Sequence, residues 1–377
     1  MNPPTIAVDL RAALGTLTGI GVYTRALATE LGQRSRIRIL GVAHRAPDDP
    51  GWLAEAGIEW EEQSTPSGVL WQQLVLPRRL RRGDIDLFWS PLQTLPVLPA
   101  PVPLVTTVHD LTALLLPETH RLKVRWSQIP FLKKSLDRAR RIVAVSEATA
   151  EDLRRVFPDS RDRIRVVPNG VDPAFRPAAP EEIEGFRKDR DLPEGYLFYA
   201  GTLEPRKNVA LLLDAWEILR AEEEHPLPLV LAGPYGWKSR RLARRLEELR
   251  PEGLRVLGHL PREDLIRWMQ AARVFVYPSL YEGFGLPAAE AMACGVPVVA
   301  TDAGSLPEVV DGAGILVSPE DSRALAEAIR RILDEPELGR DLGRRGRERA
   351  ARFRWDRSAA RLEELFLSIL ENGGPGS

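Results

Sequence analysis

The chain lacks the residues and patterns that mark several kinds of protein. Its 377 residues include one cysteine, Cys294, which excludes an internal disulfide and a cysteine-built metal site. No apolar run is long enough to span a bilayer. The strand-like run Thr5–Asp9 begins too early to leave room for a signal peptide, so we expect a cytosolic protein. Basic and acidic side chains number 52 and 53, and so balanced a chain has no global field to draw it to nucleic acid. No two histidines have the spacing of a zinc-binding helix. The Asp84-x-Asp86 pair precedes a strand rather than following one, so neither metal nor cofactor is expected.

What is present is an alternation. At this length two domains are expected, and 44% apolar with 28% charged residues suits ordinary cores. Apolar, β-branched runs at Thr5–Asp9, Ile37–Val42, Asp86–Trp89, Leu104–Val108, Ile142–Val145 and Ile164–Val167 are separated by helical patterns. One of these is Val22–Leu31, with Val22, Ala26, Leu27 and Leu31 on one face. A second series runs Tyr196–Tyr199, Leu229–Ala232, Arg255–Leu257, Val274–Tyr277, Val298–Ala300 and Ile315–Val317. Alternation of this kind predicts α/β domains with doubly wound parallel sheets. Between the series, the proline-rich stretch Pro168–Pro180 disfavours helix and sheet, which puts the boundary near 170. We therefore expect domains at 1–170 and 171–354. A last helix near 355–371 must bury Leu362, Leu365, Phe366 and Ile369, and a flexible tail follows at 372–377.

Such sheets bind ligands at the carboxyl ends of their strands. After the first strand, Gly19 and Gly21 would let a backbone approach an anion at a helix N-terminus; a plain turn fits as well, because the spacing is not that of a dinucleotide fingerprint. His109 ends the strand Leu104–Val108, where it can donate to a sugar hydroxyl or carbonyl. His44, His120, His225 and His259 stand in loop-like or charged contexts. Gly201 begins G-T-L-E-P-R-K-N, in which Arg206 and Lys207 place two cations before a helix, a combination suited to a diphosphate. After Tyr277 comes Glu282, then Gly283, Phe284, Gly285 and Leu286, with Glu290 one turn into the next helix. There Glu282 can accept from sugar hydroxyls, the backbone N–H groups can meet phosphate, and Glu290 can accept from ribose.

These motifs resemble the retaining glycosyltransferases of family four, which have the GT-B fold of two Rossmann-like domains facing each other across a cleft. The likeness rests on E-G-F-G-L-P-A-A-E, on Gly19–Gly21, V-H-D at Val108–Asp110, V-S-E-A-T at Val145–Thr149, V-P-N-G-V-D at Val167–Asp172, and G-T-L-E-P-R-K-N. It implies hexose transfer, of mannose or glucose type, from a GDP- or UDP-linked donor to a glycan, lipid-linked or small-molecule acceptor. No metal is needed in that scheme. His109, Arg206, Lys207 and Glu282 would be catalytic; Gly19, Gly21, Gly201, Gly233, His259, Leu260, Gly283–Leu286 and Glu290 would join Arg206, Lys207 and Glu282 in holding the donor. Retention by front-face attack is implied by the resemblance alone. The final helix would cross back to the first domain, which takes the acceptor. One departure stands out: many members carry arginine where this chain has Thr202, and Arg206 would supply that guanidinium. The residues leave open a sugar-nucleotide epimerase, a glycan phosphorylase or a non-catalytic nucleotide binder. Basic runs at Arg78–Arg82, Lys133–Arg141 and Arg240–Arg245 read first as solvated faces. A second reading is steering to an anionic membrane that carries a lipid-linked acceptor.

Overall fold

Strands buried on both faces need near-continuous apolar sequence, and the runs described above supply it. The computed structural model describes residues 2–120, 122–192, 195–222 and 227–372, with backbone alone for 122–128. It divides into two units, Met1–Gly170 with Arg354–Ser377, and Val171–Phe353.

The first unit holds β1 (Thr5–Asp9), β2 (Arg38–Ala43), β3 (Glu59–Glu62), β4 (Leu87–Ser90), β5 (Leu104–Val108), β6 (Arg141–Ala144) and β7 (Ile164–Val166). They form one parallel sheet ordered β3-β2-β1-β4-β5-β6-β7. Ala7 of β1 lies opposite Leu40 on one side and Phe88 on the other. Strand order reverses between β1 and β4, and their carboxyl ends flank the switch point where such sheets take ligands. β3 is an addition to the expected set. Its sequence, Glu-Trp-Glu-Glu, has no apolar run, and as an edge strand paired only with β2 it needs none.

Helix α1 runs Gly19–Gly32 and α2 runs Glu147–Val156. The inward face of α1 is Tyr23, Thr24, Leu27, Ala28 and Leu31; the expected Val22 and Ala26 are only half-buried, because the helix starts three residues earlier than its apolar pattern suggests.

In the second unit β8 (Leu197–Ala200), β9 (Leu229–Ala232), β10 (Leu254–Gly258), β11 (Val274–Tyr277), β12 (Val298–Thr301) and β13 (Ile315–Val317) repeat the winding, ordered β10-β9-β8-β11-β12-β13. Phe198 of β8 lies between Val230 and Phe275. The helices that matter for the site are α3 (Val209–Glu222), α4 (Arg262–Gln270), α5 (Leu286–Ala293) and α6 (Pro336–Ala350). Gly343 and Gly346 let α6 lie close to the end of α5, since a Cβ at Gly343 would stand 2.4 Å from the Gly295 carbonyl oxygen.

The chain leaves the first unit at Gly170 and rejoins it at Arg354. The last helix, α7 (Trp355–Glu371), buries Trp355, Ala359, Leu362, Phe366 and Ile369, while Leu365 is half-buried. Trp355 meets Tyr23 at 5.9 Å and Phe366 meets Trp89 at 5.7 Å between ring centres. Glu363, on the same face, pairs with Arg34 at 3.1 Å. Of the expected tail, 373–377 lies outside the described residues.

Gly170 is the tightest point of this return: a Cβ there would sit 2.3 Å from the Trp355 backbone nitrogen. Gly170→Ala is therefore expected to cost about 1–3 kcal/mol, the usual range for overpacking. Gly185→Ala, in the helix Pro180–Lys188 with nothing within 4 Å of the added Cβ, should instead gain roughly 0.5–1 kcal/mol. Urea midpoints of both variants check the pair; equal shifts would contradict it.

Candidate active site

The second unit's switch point lies between the ends of β8 and β11. Gly201 follows β8 and Gly233 follows β9; a Cβ on Gly233, at φ +142°, would come 2.0 Å from the Gly201 carbonyl oxygen. Gly233 therefore serves close packing of the two strand ends. Beyond Gly201, the chain turns through Pro205–Lys207 as a single 3-10 turn, and Asn208, at φ +52°, redirects it into α3. From β11 the chain runs through Leu280, whose N–H donates to the Arg206 carbonyl at 2.8 Å. The two loops are thus tied by backbone before any side chain acts.

Their side chains converge on Glu282. Lys207 Nζ donates to Glu282 Oε1 at 2.6 Å and to the Tyr277 hydroxyl at 2.7 Å. Arg206 lies 3.1 Å from Glu282 Oε2 and 3.2 Å from Glu204 Oε1, and donates to the Tyr281 carbonyl at 2.8 Å. All four charged side chains are buried or nearly so. Burial alone would raise the Glu282 carboxyl; Lys207 and Arg206 outweigh it and hold it at about 2, so Glu282 is ionised at any working pH. Burial pulls the Lys207 ammonium below its ordinary value against the opposing pull of Glu282. Glu204 is the reverse case: burial pushes it up, only partly countered by Arg206 and Lys207. Two cations thus face two carboxylates, and burial outweighs the cations at Glu204 but not at Glu282.

Glu282 is also held from behind. Gly304, at φ +58°, presses so close that a Cβ would lie 2.5 Å from the Glu282 carbonyl oxygen, and Ser305 donates to that oxygen from both its N–H and its hydroxyl at 3.0 Å. Downstream, Gly285 adopts φ +88° and caps α5, with Pro287 in the first turn. The N–H groups of Gly285 and Leu286 stand at the start of α5, where helix geometry leaves donors available to an anion. Glu290 is buried in α5, and burial raises its carboxyl to about 8, Arg262 lowering it and Asp172 raising it. Those two groups pair with each other at 2.8 Å.

The first unit presents His109 just beyond β5. Its Nε2 meets the Pro91 carbonyl at 2.8 Å, its ring stands edge-on to Tyr23 at 4.8 Å, and the Thr149 hydroxyl reaches its carbonyl at 3.4 Å. Burial lowers its pKa. In the neutral ring the Nε2 proton is then committed to Pro91, and Nδ1 is left as an acceptor. Gly19 and Gly21 form the first turn of α1 rather than a loop, and Gly21 is required where a Cβ would stand 2.7 Å from the Ala12 carbonyl oxygen.

Elsewhere, His120 contacts the Thr112 hydroxyl at 3.1 Å, His44 is partly buried, His259 is exposed beside the half-buried Leu260, and His225 lies outside the described residues. Asp84 binds Arg79 at 2.6 Å and Asp86 accepts from the Thr5 N–H at 2.7 Å, so both are structural. A separate cavity of about 1030 Å³, bordered by Arg187, Arg273 and Cys294, opens near the amino ends of the strands, away from Glu282.

Two family profiles match: Glycosyltransferase Family 4 over residues 17–175, and Glycosyl transferases group 1 over 181–349. The O-antigen chain mannosyltransferase B of Escherichia coli is 40% identical over 255 residues, 67% of each chain. The serotype-specific mannosyltransferase WbdA of Escherichia coli is 29% identical over 276 residues, 71% of this chain, which spans about a third (34%) of that protein's length. In fold, Anabaena Alr3699/HepE, solved with UDP and glucose, superposes with a TM-score of 0.76 at 20% identity over 97% of this chain and 100% of its own. The chain belongs to glycosyltransferase family 4. Its two parallel sheets are those of the GT-B fold.

Within this glycosyltransferase, sequence reasoning missed Glu204, Tyr277, Gly304 and Ser305. Glu204 was visible inside G-T-L-E-P-R-K-N as a carboxylate two residues before the cations, and Tyr277 as a polar aromatic at a strand end. Gly304 and Ser305 had no local signal, because their role is contact across 22 residues of chain with Glu282.

A buried acid with a raised pKa holds its proton more tightly folded than unfolded. Its contribution is full below the ordinary value of 4.5 and is lost as pH rises through the folded value of about 8. The transferase should therefore lose stability relative to its Glu290→Gln variant between about pH 5 and pH 9, at about 1.4 kcal/mol per pKa unit. Urea midpoints of the two proteins across that range provide the check; parallel curves would contradict the assignment.

Proposed function

We propose that this family member is a retaining mannosyltransferase that takes its sugar from a GDP-linked donor and passes it to a glycan or lipid-linked acceptor. The observation that carries the reading is the convergence of Arg206, Lys207 and Glu282 at the switch point of the second unit, within 3.1 Å of one another through Glu282. The preference for mannose over glucose follows two relatives that are named mannosyltransferases. The family resemblance, and no geometry in this chain, supports retention.

In this reading the donor diphosphate lies against Arg206 and Lys207, with the open N–H groups before α5 as further donors. Arg206 is shared between Glu204 and Glu282. Thr202 leaves no arginine after Gly201, so Arg206 is the guanidinium of this motif. Glu282 remains ionised and accepts from hydroxyls of the transferred hexose. Glu290 accepts from the ribose once ionised.

The bond from the anomeric carbon to the diphosphate oxygen breaks, and its electron pair leaves with the diphosphate. The two cations stabilise that charge where it develops. The acceptor hydroxyl forms the new bond on the same face and its proton passes to the departing phosphate oxygen. The charge is met without a metal ion. The family resemblance supports the first unit as the one that takes the acceptor.

Lys207→Met should lower turnover of GDP-mannose about 10²–10³-fold, the range for loss of one charge-stabilising donor. Removing one of the two cations held against buried Glu282 should also lower stability, although Arg206 remains 3.1 Å from the carboxylate, so the double variant Lys207→Met/Glu282→Gln is the companion: it should regain stability without turnover. Retained turnover in a folded Lys207→Met protein would refute the role. Proton NMR of the product reads the anomeric configuration directly, and inversion would refute retention; isomerised donor without acceptor would mark an epimerase.

A further inference from the structure

Six large apolar side chains are exposed among the described residues, and five of them, Val69, Leu70, Leu74, Leu98 and Phe131, lie on neighbouring segments of the first unit. Their neighbourhood is fixed by buried polar contacts. Gln73 Oε1 accepts from the Val97 N–H at 2.7 Å, and the Ser135 hydroxyl accepts from the Leu95 N–H at 2.9 Å while donating to the Phe131 carbonyl at 2.6 Å. The helical segment 68–79 winds through one π-helical turn at Trp71–Val75. That winding turns Trp71, Gln72 and Leu76 inward and leaves Leu70 and Leu74, 50% and 45% exposed, on the outer side. Arg78, one turn further on, donates to the Leu74 carbonyl at 3.1 Å and continues the same stripe.

The stretches that carry this patch are mainly basic. From Gln63 through Gly83 there is no carboxylate and there are four arginines, and Pro91 through Pro103 carries no charge at all. Arg78, Arg81 and Arg82 are exposed, as are Lys133 and Lys134 beside Phe131. Carboxylates that reach these cations include Glu61, 3.6 Å from Arg82, Asp84, whose carboxyl Arg82 helps to lower, and Asp137, 2.9 Å from Lys133. Apolar side chains ringed by cations match a surface that offers anions above hydrocarbon. The loop after β4 also links this patch to His109, through Pro91 at 2.8 Å and through Gln93, which donates to the Asp110 carbonyl at 2.9 Å.

We propose that Val69, Leu70, Leu74, Leu98 and Phe131 form a docking patch that inserts shallowly into an anionic lipid bilayer, with Arg78, Arg81, Arg82, Lys133 and Lys134 against the lipid phosphates. The patch stands apart from the donor groups in the second unit, so its test does not depend on the donor assigned above.

The experiment is co-sedimentation of the full-length protein with vesicles of phosphatidylcholine alone and of phosphatidylcholine mixed with phosphatidylglycerol. The wild type should sediment with the mixed vesicles and stay in the supernatant with the neutral ones. Arg78→Gln/Arg81→Gln should weaken binding about fivefold for each arginine, and Val69→Ser/Leu70→Ser/Leu74→Ser should abolish it, with thermal midpoints unchanged because all five positions are exposed. A wild type that stays in the supernatant with anionic vesicles, or a triple-serine variant that sediments as well as the wild type, would overturn the proposal. So would light scattering that shows a wild-type dimer and a triple-serine monomer, since the patch would then belong to a second copy.

Discussion

The second unit is organised around one buried ion pair, Lys207 with Glu282. A buried pair of this kind gains little net stability, because removing two charges from water offsets most of their attraction. What it supplies is position. Lys207 is held by Tyr277 on one side and Glu282 on the other, and Glu282 is held by Arg206, Gly304 and Ser305. Glu282 cannot move far without leaving Lys207 without its carboxylate in a low-dielectric pocket.

That constraint explains the backbone around it. The β8 loop reaches the β11 loop through Leu280 and the Arg206 carbonyl, while Gly201 and Gly233 bring two strand ends into contact. Doubly wound topology creates the crevice at the strand-order reversal, and the ion pair fills its floor with charge. The first unit has the same winding but a different occupant of its switch point: buried Asp9 binds Arg11 at 2.7 Å, a structural pair that consumes its own charge. One architecture thus holds two different charge arrangements at its two switch points.

Much of this was legible in the sequence, because strands buried on both faces must be apolar and because glycines, prolines and charged residues cluster where strands end. The twelve expected strands and the motif residues Arg206, Lys207, Glu282 and Glu290 fall at strand ends or in the following helix. What escaped depended on tertiary contact. β3 is acidic and half-exposed, so nothing in its composition marks it. The start of α1 at Gly19 runs against the low helix propensity of glycine. The commitment of His109 Nε2 to the Pro91 carbonyl links residues 18 apart, and the neutralisation of Arg206 by Glu204 depends on a turn whose shape only the fold reveals.

In the proposed function the Arg206–Lys207–Glu282 cluster holds the donor through its diphosphate. Isothermal titration of GDP and of guanosine into the wild type and into Lys207→Met measures this most directly. The variant should lose at least about tenfold in GDP affinity, the equivalent of about 1.4 kcal/mol, with guanosine binding unchanged. Equal GDP affinity in the two proteins, or a loss shared equally by guanosine, would contradict it.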